Sequence, residues 1–379
     1  MRKILFVTGS RGEYGYIRPI LKLIKGRPDL SYEIVATNMH LISRYGSSID
    51  NFSLDGFKVS YELYMALEGS TPTSMAKSLG VFMLSLADLL NNCRPDMILL
   101  AGDRGEQLSA AIVGAHMGIP VAHIQAGELS GNVDGMSRHA IARFAHIHFA
   151  ANEDAATRLV KSGEEEHRVF MVGAPQIDEL IQGCVCSSEE VRKFFNLLDT
   201  EPVNVLVQHP VTEQFELSKE HMEASLEALS RIGVRTVLVY PNNDAGSSFV
   251  QDAIAKYNES WLTTVRNVPR EMYLGLMSIA SVIVGNSSSG ILEAPSFGLP
   301  AINIGRRQSG RYQGRNVINV NHDVDEIYEA IKKATDPNFR DSLQGIPNPY
   351  GDGKSSERIV NVLSTIEIDE KLMFKQLSY

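Results

Sequence analysis

The chain has 379 residues, 44% hydrophobic and 21% charged, which is enough material for more than one buried core. Its formal net charge of −9 argues against a broad DNA- or RNA-binding surface, although a few arginines and helix N-termini still suffice for a small anionic ligand. Three cysteines without paired spacing read as free thiols rather than a zinc site, and no run approaches the roughly 20 apolar residues of a membrane span or the pattern of a signal peptide, so a cytoplasmic protein is expected.

Short apolar runs alternate with longer amphipathic segments along the chain. Lys3–Gly9 reads as a buried strand, Ile17–Lys25 as a helix and Tyr32–Thr37 as a second strand. Met97–Gly102 is a further strand, followed by a helix over Gln107–Met117 and a strand over Val121–Ile124. Ser137–Ala145 reads as a helix, and Ile147–Ala150 and Val169–Gly173 as strands. Polar, turn-rich stretches at Gly183–Glu190 and Asp199–Pro202 place a boundary between about 175 and 200. The alternation then restarts with strands at Val203–His209, Thr236–Pro241, Ser281–Asn286 and Pro300–Gly305. Helices are expected over Leu217–Arg231, Val324–Ala334 and Ser355–Ile366. Fully apolar strands separated by helices indicate parallel sheets covered on both faces. The expected fold class is α/β: two Rossmann-like domains, 1–178 and 200–354, with a cleft between them and a tail over 355–379.

Ligands of such sheets sit beyond the carboxyl ends of the strands, and five turns there carry polar residues. Thr8–Gly15 offers either a backbone nest with Arg11 facing an anion, or a tight turn with an exposed arginine. Gly102–Glu106 places Asp103 and Arg104 at a strand end. Asp103 is either a partly desolvated general base or the N-cap of the next helix. The segment His123–Asp134, with Gln125, Glu128 and Asp134, continues into Arg138 and His139 and reads as a long functional loop. His209, fixed before Pro210, is either a proton-transfer group or a turn histidine. Gly285–Gly290, with Ser287 and Ser288, opens a helix carrying Glu293; it is either a diphosphate cradle or a serine cap, with Arg307 and Arg311 downstream. The ten histidines include His146 and His148 but no H-E-x-x-H spacing, so no metal is expected.

Taken together, TGSRGEYG, GDRGE, HIQAGELSGNVDGMSRHAI, QHPVT, YPNNDAG, GNSSSGILEAP and INIGRRQSGR resemble, in that order, the UDP-N-acetylglucosamine 2-epimerase family and its hydrolysing branch. That resemblance implies a GT-B-like fold whose last helix crosses back to the first domain. It implies no metal or redox cofactor, a UDP-sugar substrate, and frequent dimers or tetramers. It implies elimination of UDP to a glycal followed by hydration, releasing N-acetylmannosamine. Asp103 and Asp134 match the family's catalytic carboxylates and His209 its catalytic or phosphate-contacting histidine. Ser287, Ser288, Glu293 and Arg307 match the UDP-binding set, Arg11 and Arg104 face diphosphate or sugar, and Asn242 and Asp244 lie near the nucleotide. Several relatives carry a carboxylate where this chain has Gln125. An amide is no base, so the proton work falls to Asp103, Asp134 or Glu128. The same reaction on a UDP- or GDP-linked N,N'-diacetylbacillosamine, a non-hydrolysing epimerase, a glycosyltransferase and a non-catalytic sugar-nucleotide binding module are the competing readings.

Overall fold

The computed structural model describes residues 1–43, 48–68, 71–242 and 244–378. It divides into two compact units: Met1–Gly69 with Thr73–Glu179 and the returning tail Tyr350–Tyr379, and Leu180–Pro349 with Ser70–Pro72.

The first unit is built on a parallel sheet of β1 (Arg2–Thr8), β2 (Leu30–Thr37), β3 (Tyr61–Leu63), β4 (Met97–Ala101), β5 (Val121–Ala126), β6 (Ile147–Ala150) and β7 (Val169–Met171). The order is β3-β2-β1-β4-β5-β6-β7. Ile4–Val7 and Met97–Ala101 are wholly buried because helices cover both faces. On one face Ile17, Ile20 and Leu21 of the helix Arg11–Ile24 pack with Ile359, Val360 and Leu363 of the helix Ser355–Thr365. Asp178 holds the latter by accepting the Ser355 and Ser356 amides at 3.0 and 2.6 Å, which satisfies two N–H groups that a helix start leaves unpaired. The other face is covered by the helices Pro72–Cys93, Gly105–His116 and Val133–Phe144.

Several expectations need correction here. The first helix begins at Arg11, not Ile17, because Ser10 and Glu13 form a reciprocal capping box. The helix expected from Ser137 begins at Val133, so Asp134 stands in its first turn rather than on the preceding loop, while Arg138 and His139 lie on the helix body as expected. The helix Pro72–Cys93, by length and composition alone, is long and apolar enough to cross a membrane. Its Ser78, Phe82, Leu86 and Leu90, four residues apart, are instead buried against the sheet.

The second unit repeats the plan with β8 (Val203–Val207), β9 (Arg235–Val239), β10 (Leu262–Val265), β11 (Val282–Gly285), β12 (Ala301–Ile304) and β13 (Val317–Val320). All pair in parallel in the order β10-β9-β8-β11-β12-β13. The polar stretch expected to be turn partly forms the helix Ser188–Phe195, started by a capping box of Ser187 and Glu190 that buries Val191 and Phe195. In both sheets the chain winds outward one way from the first strand and then the other way from the fourth. The carboxyl ends of β1 and β4, and of β8 and β11, are therefore topological switch points, where two diverging connections leave an open crevice.

Candidate active site

At the first switch point the sheet end is braced by a buried amide. Gln107 accepts the Ala101 N–H at 3.2 Å and donates to the Val7 carbonyl at 3.2 Å, tying β4 to β1. The turn after β1, read as either an anion nest or a tight strand–helix turn, already has an internal acceptor for two of its amides. The Gly9 and Ser10 amides both donate to the Glu13 carboxylate, at 2.5 and 3.1 Å. A Cβ on Gly9 would strike the Glu106 side chain, which would have to shift to admit it. Burial and the neighbouring Glu106 push the Glu13 carboxyl well above its ordinary range. Arg11 begins the helix and lies close enough to His40 to disfavour a second positive charge, although burial is the larger cause of that ring's pKa falling to about 3.

After β4, Asp103 accepts from Arg138 and from the Ser130 hydroxyl, the latter at 3.3 Å. Arg138 is 1% exposed and also reaches Glu128 at 3.4 Å, while Asn152 donates to the other Glu128 oxygen at 3.1 Å. The aspartate thus has an arginine partner, and it does not cap the next helix, whose N-cap is Arg104. Arg104 itself pairs with Glu106 at 3.0 Å. Asp134 accepts from Asn132 at 2.8 Å and stands four residues before Arg138, on the same helix face. His139 points about 100° further round that helix. Burial, and then Arg138, lower its pKa.

Gln125 occupies an irregular point of β5, where the register with β6 shifts between Ile124 and Ala126. Its φ is +60°, unusual for a residue with a side chain. The side chain is 1% exposed, and neither amide atom has a hydrogen-bond partner among the described residues. Nearby, His123 meets the Gly102 carbonyl at 2.6 Å and burial drives its pKa down to about 3, so it supports the turn before Asp103 as a neutral ring. His146 and His148 serve the structure as well. The former accepts the Val121 N–H at 3.1 Å and the latter meets Glu164 at 2.8 Å. No cluster of three or more His, Cys, Asp or Glu suited to a metal occurs among the described residues.

At the second switch point Asn286 plays the bracing part. Its Oδ1 accepts the His209 N–H at 2.7 Å and its Nδ2 donates to the His209 carbonyl at 2.8 Å. The His209 Nδ1 accepts the Asn242 N–H at 3.1 Å, so the neutral ring carries its proton on Nε2. Gly285 has φ +123° and lies against the Val207 carbonyl, where any Cβ would collide. Ser287 and Ser288 follow, but the helix they open is only Ser289–Leu292, with a 3-10 turn from Ala294. Hydroxyls and local amides, rather than a long helix dipole, are what this turn offers. Arg307 donates to the Asn286 carbonyl at 3.1 Å. Arg311 joins the same group through Gln308, at 3.0 Å for each link. Glu293 is buried and ion-paired with Arg270. Asp244 is buried and its carbonyl accepts the Ser247 N–H at 3.0 Å; Asn243, inside the YPNNDAG segment, lies outside the described residues.

Ser130, Glu13, Gln107, Asn152 and Arg270 were not singled out from the sequence. Glu13 carried a readable signal, the S-x-x-E capping pattern. Arg270 carried none, since its carboxylate partner is distant in sequence.

A family model described as UDP-N-acetylglucosamine 2-epimerase matches residues 22–364. The chain is 34% identical over 381 residues to the UDP-N,N'-diacetylbacillosamine 2-epimerase (hydrolyzing) of Legionella pneumophila, covering 100% of both chains. It is 34% identical over 334 residues to the UDP-N-acetylglucosamine 2-epimerase of Neisseria meningitidis, covering 88% of each. Among solved structures, UDP-GlcNAc 2-epimerase from Neisseria meningitidis bound to UDP-GlcNAc superposes with a TM-score of 0.81 at 22% identity, over 95% of this chain and 99% of that one. At that identity the likeness concerns the two-unit, GT-B-like fold.

Proposed function

The chain belongs to the UDP-N-acetylglucosamine 2-epimerase family, and from that premise we propose that it is a hydrolysing 2-epimerase acting on UDP-N-acetylglucosamine. The observation that carries the reading is the Asp103–Arg138–Glu128 cluster at the end of β4, with Asp134 one turn before Arg138 on the same helix.

In this reading the first unit does the proton chemistry. One carboxylate removes the C2 proton as the C1–O bond breaks and UDP leaves, giving a 2-acetamidoglycal. Water then adds its oxygen to C1, and a protonated carboxyl returns hydrogen to the opposite face of C2, releasing N-acetylmannosamine. Asp103, Asp134 and Glu128 are the groups assigned to these transfers, with Arg138 fixing two of them. Arg104 and Arg11 serve the sugar or its phosphates, and His139 the sugar. Gln125 turns an amide, not a base, to the substrate.

The second unit takes the nucleotide. His209 presents Nε2–H, and Ser287, Ser288, Arg307 and Arg311 present donors to the departing diphosphate, whose negative charge grows as the C1–O bond breaks. Glu293, oriented by Arg270, accepts from the ribose diol. Asn242 and Asp244 line the nucleotide side. None of these steps calls for a metal or a redox cofactor.

The test is incubation with UDP-N-acetylglucosamine in heavy water, read by mass spectrometry. Release of UDP together with N-acetylmannosamine carrying one solvent deuterium at C2 is the expected result. UDP-N-acetylmannosamine as product would make the enzyme non-hydrolysing, and transfer to an acceptor without exchange would make it a glycosyltransferase. A second substrate reading is UDP-N,N'-diacetylbacillosamine, favoured by the end-to-end likeness to the Legionella pneumophila enzyme. Comparing kcat/KM on the two sugars, and on the GDP form of the second, decides between them.

A further inference from the structure

The helix Val133–Phe144 brings Asp134 and Arg138 to the end of β4, and no side-chain cap closes its N-terminus. Its other end is held by a residue 233 positions further on. Lys375 donates to the Ala142 carbonyl and, at 2.7 Å, to the Ala145 carbonyl, with the Arg143 carbonyl at 3.4 Å. Ala142 and Arg143 are among the last four carbonyls of the helix, which find no partner within it. The remaining ammonium proton goes to the fully buried Glu164 carboxylate at 2.6 Å, so all three donors of the lysine are used. A cation placed here also complements the negative end of the helix dipole.

Lys375 reaches this place because the tail around it is fixed. The short helix Glu370–Met373 buries Leu372 in the core. Arg168, 1% exposed, donates to the Leu372 and Lys371 carbonyls at 2.6 and 2.8 Å. Beyond Lys375, the Ser378 N–H donates to the Gly163 carbonyl at 3.0 Å. Arg168 also reaches the His146 carbonyl at 3.3 Å, and the His146 N–H donates to the Val121 carbonyl at 2.7 Å. The turn that leaves the helix is thus clamped between the tail and the start of β5. At 1.5 Å per residue, Asp134 lies about 12 Å and Arg138 about 6 Å along the axis from Ala142. A helix this short moves as a body, and misplacing a working group by about 1 Å can cost on the order of a hundredfold in rate.

We propose that Lys375 is a positioning residue for the reaction: its ammonium holds the far end of the helix that carries Asp134 and Arg138, and so fixes where those side chains stand. The inference rests on the reading of these two residues as parts of the proton-transfer machinery.

Lys375→Met keeps the apolar stem and removes the ammonium. Glu164 retains Arg143 at 3.1 Å and His148 at 2.8 Å, so no buried carboxylate is stranded and the fold should persist. Measured as UDP release from whichever of the two UDP-sugars is turned over, kcat of K375M should fall about tenfold to a hundredfold. KM should stay within about twofold, and UDP should titrate one site per chain with unchanged affinity, because the second unit takes the nucleotide. Lys375→Ala should be slowed similarly. Propylammonium, which replaces the deleted atoms, should restore its kcat at least about threefold, and neutral propanol should not. Lys371→Met, at an exposed lysine of the same tail, should leave kcat unchanged. Hydrogen exchange needs no substrate: amides of Val133–Phe144 should exchange about tenfold faster in K375M than in wild type, with β8 unaffected. Wild-type kcat in K375M, a loss of kcat matched by a loss of UDP-binding sites, equal rescue by propanol, a K371M as slow as K375M, or unchanged exchange in the helix would overturn the proposal. A wild type that turns over no sugar nucleotide refutes the proposed activity instead, and the exchange measurement alone then decides whether Lys375 holds the helix.

Discussion

Replacing Asp103 with asparagine removes one negative charge from a cluster of two carboxylates and one buried arginine while keeping an oxygen in the same place. The asparagine Oδ1 still accepts from Arg138 and from Ser130, and Glu128 still supplies Arg138 with a counter-charge, itself held by Asn152 at 3.1 Å. The stability cost is therefore the difference between a charged and a neutral acceptor at a side chain 20% exposed, about 1 kcal/mol. That corresponds to a thermal midpoint lowered by roughly 2–4 °C for a domain of this size. Loss of a positioned acid or base costs on the order of 10²–10⁴ in rate. The two quantities should separate: thermal unfolding close to wild type, and UDP release slowed at least a hundredfold with deuterium entry at C2 slowed in parallel. Asp134→Asn, whose amide oxygen likewise still accepts from Asn132, should behave the same way. Near-normal turnover in both variants would refute the catalytic assignment, and an unfolded D103N would refute the reading of Glu128 as a sufficient partner for Arg138.

Three further outcomes follow from named contacts. Gln125→Leu deletes two buried polar atoms that have no partner among the described residues, so the thermal midpoint should hold or rise while KM for the sugar nucleotide rises about tenfold; a destabilised variant with unchanged KM would make the amide structural. Arg270→Met strands the buried Glu293 carboxylate, and isothermal titration should show UDP binding weakened about tenfold or more, against an unchanged affinity if Glu293 does not touch ribose. Stability should also decline as pH falls from about 6.5. His40 and His123 keep their protons off until pH about 3 and His146 until about 4, whereas the unfolded chain takes them up near 6.5, costing about 1–2 kcal/mol per histidine at pH 5. Glu13 and Asp178, held above their ordinary ranges, act in the opposite direction, but His139, His148, His221 and His322, all lowered by burial, act with the three histidines named. Urea midpoints measured from pH 7.5 to 5 that do not fall would contradict this.

Much of this protein was legible in its sequence because much of it is local. An apolar run such as Ile4–Val7 or Met97–Ala101 is readily buried on both sides in a helix-covered parallel sheet, and ten strands alternating with helices admit few architectures; the edge strands β3, β10 and β13, short and only partly buried, carry no such signal and are not legible in the sequence. Strand-end turns rich in glycine, serine and acid mark where chemistry is placed, since ligands of such sheets meet strand ends. What the tertiary structure decided is how those groups are occupied. Two amides of the glycine turn after β1 are taken by Glu13, and Asp103 meets Arg138 from a helix that begins four residues earlier than its pattern indicated. Glu293 meets Arg270, and the Gln125 amide has no hydrogen-bond partner among the described residues where the register of β5 with β6 shifts. The Glu13 contacts are local, but the Asp103–Arg138 and Glu293–Arg270 pairs join residues distant in sequence and are set by which elements lie side by side. Electrostatic partners and desolvation depend on that proximity in space, and a one-dimensional pattern records neither.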